Sequence, residues 1–203
     1  MKMLLKDANE LNYWKQADLE YHRAKMSVYL WAFGHYNNPQ SILEIGPGPL
    51  GGVLPLIGRP HRLNGASDKR RVGVDPLASE YRNAGLLVND SSIEMVTAYF
   101  EHWKNSDRFD AIFAIDSLDH GSMGFHLLPK IADLLNPFGR LFLHVHLRPT
   151  ARLDENHDHS LTIEQFESNL AKSRMTELFR RIYPIDVDGQ FGCPALVSVC
   201  EKQ

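Results

Sequence analysis

Leu11, Trp14, Leu19, Met26, Leu30 and Phe33 recur at mixed three- and four-residue steps with charged residues between them. That period predicts an amphipathic helix over about residues 8 to 35. "YNNPQ" at 36–40 ends it, because Pro39 cannot extend a helix and asparagine favours turns. Short apolar runs follow, separated by helical stretches. "SILEI", "RVGV", "SIEMVTAY", "FDAIFAID" and "RLFLHVHL" read as five strands. "LGGVLPLIG", "LASEYRNAGLL", "GFHLLPKIADLL" and "TIEQFESNLAKS" read as helices, the last capped by Thr162 with Gln165 three residues on. "GRPHRLNGASDKR" at 58–70 is a polar surface loop. Two β-rich stretches, about 177–187 and 195–201, flank "DVDGQFGCP" and predict a closing antiparallel hairpin.

Buried strands alternating with helices imply an α/β three-layer sandwich whose mostly parallel sheet is covered on both faces. With 203 residues the chain is long enough for one such domain and short for two. The expected division is an N-terminal helical extension, 1–38, capping a Rossmann-like core, 39–203. A net charge of −3 with scattered lysines and arginines gives no electrostatic reason to expect nucleic acid or an anionic membrane as partner. No apolar run is long enough to cross a bilayer, and the first residues do not make a signal peptide. Cys193 and Cys200 form no CxxC pair and read as reduced core thiols, so a cytoplasmic location is expected.

In open parallel sheets ligands bind beyond the carboxyl ends of the strands. The residues to watch are therefore Glu44 to Gly48, Asp75, Phe100 and Glu101, Asp116 to His120, and His144 to Arg148. Gly46, Gly48 and Gly51 have GxGxxG spacing, which alone suggests a dinucleotide. Pro47 and Pro49 remove two N–H donors from that loop, a poor choice for wrapping a diphosphate, and Glu44 would repel one. A carboxylate there suits a cationic ligand. Asp75 ends the second strand, where an acid accepts from both ribose hydroxyls of an adenosine or caps the next helix.

"LEIGPGPLGG", "RVGVDP", "AYFEHW", "FDAIFAIDSLDH" and "IADLLNPFGRLFLHV" together resemble the seven-stranded class I S-adenosylmethionine-dependent methyltransferases, over about residues 40–147. Phe138 departs from the pattern, which usually has a second glycine in the turn before strand five. The resemblance implies a seven-stranded sheet with a reversed last strand, and S-adenosylmethionine as cofactor. It implies that Glu44 and the Gly46, Pro47 and Gly48 backbone face the methionine end, and that Asp75 binds the ribose. Phe100 and Glu101 would line the adenine, and Ile115 and Asp116 would close the site. "DSLDHGSM", "LHVHLRP" and "LDENHDHSLTIEQF" look like a small-molecule subgroup that includes sugar-pathway enzymes.

The expected activity is methyl transfer to oxygen or nitrogen of a small-molecule acceptor, with His120 as the base. Trp14, Asp119, His146, Arg148 and His157 are the expected substrate-side residues. His144 and His146, followed by "DENHDH", raise the idea of a metal, yet the order matches no tight zinc spacing, and no metal is expected. The N-terminal helix would lid the cleft through Tyr13 or Trp14, pack on the sheet, or form a homodimer contact. The competing functions are an NAD(P)-dependent oxidoreductase and a non-catalytic cofactor-binding protein on the same fold.

Overall fold

The computed structural model describes residues 5–33, 39–57, 69–120, 124–148, 160–184 and 194–203. Seven strands form one sheet: β1 (Ser41–Ile45), β2 (Arg70–Asp75), β3 (Ile93–Thr97), β4 (Phe109–Ile115), β5 (Leu135–His146), β6 (Met175–Tyr183) and β7 (Ala195–Lys202). Their order is β3-β2-β1-β4-β5-β7-β6. The first five pair in parallel, and β7 runs antiparallel between β5 and β6. The order in which strands are added reverses between β1 and β4, so the crevice beyond their carboxyl ends is the topological switch point.

The side-chain period of two sorts β1 cleanly. Leu43 and Ile45 join a core on one face with α4 (Leu128–Leu134) and α5 (Ile163–Ser173). Ile42 joins a second core on the other face with Tyr29, Leu30 and Phe33 of α2 (Leu19–Phe33) and with Val53, Leu54 and Ile57. Within that second core Phe113 of β4 and Phe142 of β5 stack with ring centroids 4.6 Å apart, and Phe33 meets both edge-on. Stacked and edge-to-face rings are the favoured aromatic geometries. Cys200 is a free thiol in the core, and Cys193 lies outside the described residues.

Four expectations change in detail. The single helix over 8–35 is two, α1 (Leu5–Gln16) and α2, because Asp18 accepts from the Glu20 and Tyr21 amides and starts a new helix. Of the stretch "LGGVLPLIG", residues 50–57 are a chain of turns rather than a helix, since Gly51 and Gly52 have positive φ and Pro55 follows. "LASEYRNAGLL" is helical only at α3 (Ala78–Asn83). "GFHLLPKIADLL" divides into a 3-10 turn, Gly124–Leu127, and α4. The Thr162–Gln165 capping box of α5 forms as the pattern predicts. Among the described residues no helix is long and apolar enough to cross a membrane.

Phe138 sits in a bulge inside β5, where a turn before the strand was expected. The register with β4 jumps from Phe109↔Leu135 to Ala111↔Arg140, so residues 136–139 bulge out. Phe138 adopts φ +60° there, with its ring 75% exposed. A side chain in this left-handed region is strained, and the exposed ring contributes little burial in return. Phe138→Gly is expected to raise stability by about 1 kcal/mol, read as a higher urea midpoint with unchanged slope. An unchanged or lower midpoint would show that the turn is not strained.

Candidate active site

The β1 to β2 connection is held from beneath by a buried acid. Glu44 is 1% exposed, and its carboxylate accepts from the Val53 amide at 2.8 Å and from the Leu54 amide. A Cβ on Gly52, where φ is +54°, would lie 2.0 Å from Glu44 Oε1, so only glycine lets the chain pass over the carboxylate. Glu44 is thus turned into its own loop, and the expected position facing a ligand's methionine end is not the one it takes. Burial pushes its carboxyl up to about 8, against the pull of those two amides, with nearby Asp75 adding to the rise.

Three further loop donors are also engaged inside the protein. Gly46 donates to the Val74 carbonyl, Gly48 to Asp75 at 2.9 Å, and Gly51 to the Gly48 carbonyl. Pro47 packs over β2, where a Cβ on Gly73 would come within 2.9 Å of its Cγ. Asp75 accepts from Gly48 through Oδ2 and from Leu77 through Oδ1 at 2.8 Å, which leaves each oxygen a further lone pair. The helix-cap alternative for Asp75 does not hold, since α3 begins at Ala78 with Leu77 in the cap position and no side-chain cap bond, whereas the spare lone pairs are compatible with the ribose reading. Burial pushes its carboxyl to about 6 despite the Leu77 and Gly48 amides, and Glu10 and Asp7 add to the rise.

α1 lies across this crevice. Trp14 packs against Gly48, whose Cβ would be 3.1 Å from the indole, and its Nε1 donates to Glu10 at 2.7 Å. Tyr99, after β3, donates to Asp7 at 2.6 Å, and Lys6 Nζ reaches the His120 carbonyl at 3.4 Å. The helix thereby touches the loops after β1, β3 and β4. Tyr13 is half exposed and hydrogen-bonded to His22.

After β3 the picture differs from expectation at Phe100. Its ring is 4% exposed and sits in the core, so it does not line the crevice. Lys130 of α4 donates to the carbonyls of Phe100, Glu101 and Trp103 and lies 4.8 Å over the Phe100 ring, clamping this loop from below. Glu101 remains partly exposed. Lys130 was invisible in the sequence, where it is one lysine on a helix.

At the end of β4 and β5 the structure assembles a polar cluster. Asp116 adopts φ +48°. Its Oδ1 meets His144 Nδ1 at 2.7 Å and His146 Nε2 at 3.7 Å. Its Oδ2 accepts from Tyr29 at 3.0 Å and pairs with Lys25 at 3.3 Å. Burial alone would raise the Asp116 carboxyl, but His144 and Lys25 outweigh it and hold it well below the usual carboxylate range. Burial holds His146 below its ordinary value, against Asp116 and Asp119. Asp119 and Arg148, both buried, face each other at 3.7 Å. Ile115 is buried beneath Asp116 in the α2-side core. His120 is partly exposed in the following turn, its amide bonded to the Ser117 carbonyl. His157 lies outside the described residues. A cavity of about 110 Å³ between Pro39, Asp110, Phe138 and Arg140 sits at the opposite end of the strands and has no part in this cluster.

Sheet order, reversed last strand and an acid-ended β2 beside a glycine loop define the class I methyltransferase fold. Solved structures with the same fold include the N-methyltransferase NodS from Bradyrhizobium japonicum in complex with S-adenosyl-L-homocysteine, at 18% identity and TM-score 0.68, covering 96% of this chain and 95% of that one. The 1,6-didemethyltoxoflavin-N1-methyltransferase of Burkholderia thailandensis, with its substrate and S-adenosylhomocysteine, matches at 17% identity and TM-score 0.58, covering 98% and 87%. The cyclopropane synthase MmaA2 of Mycobacterium tuberculosis matches at 15% and 0.62, covering 89% and 84%. No protein-family model matches the chain, and no curated protein matches it in sequence.

Glu44 makes stability depend on pH. The unfolded chain releases this proton near the ordinary value of 4.5 and the folded chain near 8. The folded state therefore holds the extra proton between those values and loses stability as pH rises through them. Glu44→Gln is expected to remove a slope of up to about 1.4 kcal/mol per pH unit between about pH 5 and 8, read from urea midpoints. Equal slopes in both proteins would mean that Glu44 is ionised under the loop.

Proposed function

We propose that the chain transfers a methyl group from S-adenosylmethionine to an oxygen or nitrogen of a small-molecule acceptor. One observation carries the reading. The glycine loop has its Gly46, Gly48 and Gly51 amides bonded within the protein, beside an acid, Asp75, that keeps lone pairs for ribose hydroxyls. That combination suits an adenosine whose binding does not rely on a phosphate. NodS and the toxoflavin enzyme, both named N-methyltransferases and both solved with S-adenosylhomocysteine, support the same choice.

In this reading residues 1–203 form one catalytic domain with 1–38 as its cap. Asp75 holds the ribose, Gly46, Pro47 and Gly48 give a wall without side chains in the way, and Glu101 meets the adenine. Glu44 acts from beneath, by fixing the loop. Trp14, Asp119, His146 and Arg148 border the acceptor. The sulfonium supplies a methyl group with a good neutral leaving group, so the protein's task is alignment and removal of the acceptor's proton. His120 takes that proton.

The experiment is transfer of labelled methyl from S-adenosylmethionine across a panel of hydroxyl- and amine-bearing small molecules. His120→Ala is expected to lower turnover about 100-fold or more with S-adenosylhomocysteine affinity unchanged. A fully active His120→Ala on the true acceptor would remove the base assignment. Asp75→Asn is expected to weaken S-adenosylhomocysteine binding by about tenfold or more. In the wild type that affinity should also fall as pH drops through about 6, because a protonated Asp75 loses an acceptor. The variant should lack this dependence. Equal affinities at pH 5 and 8 would contradict ribose binding by Asp75.

A further inference from the structure

The cluster at the carboxyl ends of β4 and β5 offers more than a proton relay. Asp116, His144 and His146 each present one donor atom, and the three atoms lie within 4.8 Å of one another. We propose that these three side chains form a binding site for a divalent first-row transition-metal ion, held by two imidazole nitrogens and one carboxylate oxygen.

Several features of the geometry argue for it. His144 and His146 alternate on one face of β5, so the strand itself fixes both rings toward the same side. They lie edge to face with centroids 5.5 Å apart, close enough to share a ligand and far enough not to collide. The two oxygens of Asp116 are divided in purpose. Oδ1 faces both histidines, while Oδ2 is held by the Tyr29 hydroxyl and the Lys25 ammonium. Metal-binding carboxylates are commonly steadied in this way through the oxygen that does not bind. Tyr29 also packs on the His144 ring with centroids 4.2 Å apart, which fixes its plane. Asp116 itself stands at φ +48°, a conformation that aspartate adopts at a cost and that aims its carboxylate at β5.

The distances require little movement. Metal bonds of about 2.0–2.2 Å to nitrogen and oxygen place neighbouring ligand atoms about 3.3 Å apart in a tetrahedral site. The 3.7 Å separation of His146 Nε2 and Asp116 Oδ1 is near that already. The 2.7 Å separation at His144 Nδ1 is a hydrogen bond, and its hydrogen must pass to Nε2 of the same ring by tautomerisation when the ion enters. Two imidazoles and one carboxylate at tetrahedral spacing suit zinc or cobalt(II) better than magnesium or calcium. Three protein ligands leave coordination positions open, where an acceptor's oxygen would bind and become more acidic. That last role rests on the proposed methyl transfer, whereas the site does not.

The test is equilibrium dialysis of the full chain against Zn²⁺ and Co²⁺, with the cobalt spectrum as a second readout. One ion per chain is expected, with visible bands of a four- or five-coordinate site. His146→Ala and Asp116→Asn should each weaken uptake more than about 100-fold, beyond the loss of an outer-shell partner, while His126→Ala on the exposed 3-10 turn binds as wild type. Thermal melts check that both variants fold. If neither does, the cobalt spectrum of the wild type decides, and a pale octahedral spectrum or no uptake overturns the proposal. Uptake unchanged in folded His146→Ala and Asp116→Asn would also overturn it. Metal uptake without S-adenosylhomocysteine binding would leave this site standing and remove the methyl-transfer reading.

Discussion

A carboxylate buried beneath the glycine loop organises the ligand side of this fold. Glu44 takes the amides of Val53 and Leu54, and the chain clears it only because Gly52 has no side chain. With that anchor in place the loop lies flat enough for Gly48 to reach Asp75, which in turn holds Leu77 at the start of the next segment. The ends of β1 and β2 are thus joined through two acids and four backbone amides. The loop's own structure uses the Gly46, Gly48 and Gly51 amides, donors that a diphosphate would otherwise take. Ligand selectivity here follows from what the loop must do to stay folded.

A second constraint comes from the N-terminal helices. α2 buries Tyr29, Leu30 and Phe33 against the aromatic stack of β4 and β5 and sends Lys25 and Tyr29 to Asp116. α1 reaches the loops after β1, β3 and β4 through Trp14, Asp7 and Lys6. One element packs and orients, and the other covers. Access to the crevice past Trp14 and the acids of α1 is therefore coupled to the docking of α1 on the sheet.

Strand identity, sheet class and the α5 cap were legible because they depend on local pattern: an apolar run such as "FDAIFAID" has few other fates, and Thr162 with Gln165 forms a cap wherever a helix starts. The helix break at Asp18 was missed, because the apolar period runs across it and masks the cap. Side-chain direction was not legible. Glu44 at the end of a strand reads as a ligand-facing acid, yet the turn at Gly51 and Gly52 folds the chain back over it. Phe100 reads as an adenine platform and packs into the core, because Lys130 pulls its loop down from thirty residues away. The Asp116–His144–His146 cluster needed β4 and β5 in register, Ile115 beside His144, before a spacing that matches no zinc motif could become three converging donors.

The central claim is that the β1 loop is built for an adenosine without a phosphate. Titration calorimetry of the full chain with S-adenosylhomocysteine and, separately, with NADH tests it most directly. Saturable binding of S-adenosylhomocysteine at one site per chain with no heat from NADH is the predicted result. Tight binding of NADH with none of S-adenosylhomocysteine would contradict the account.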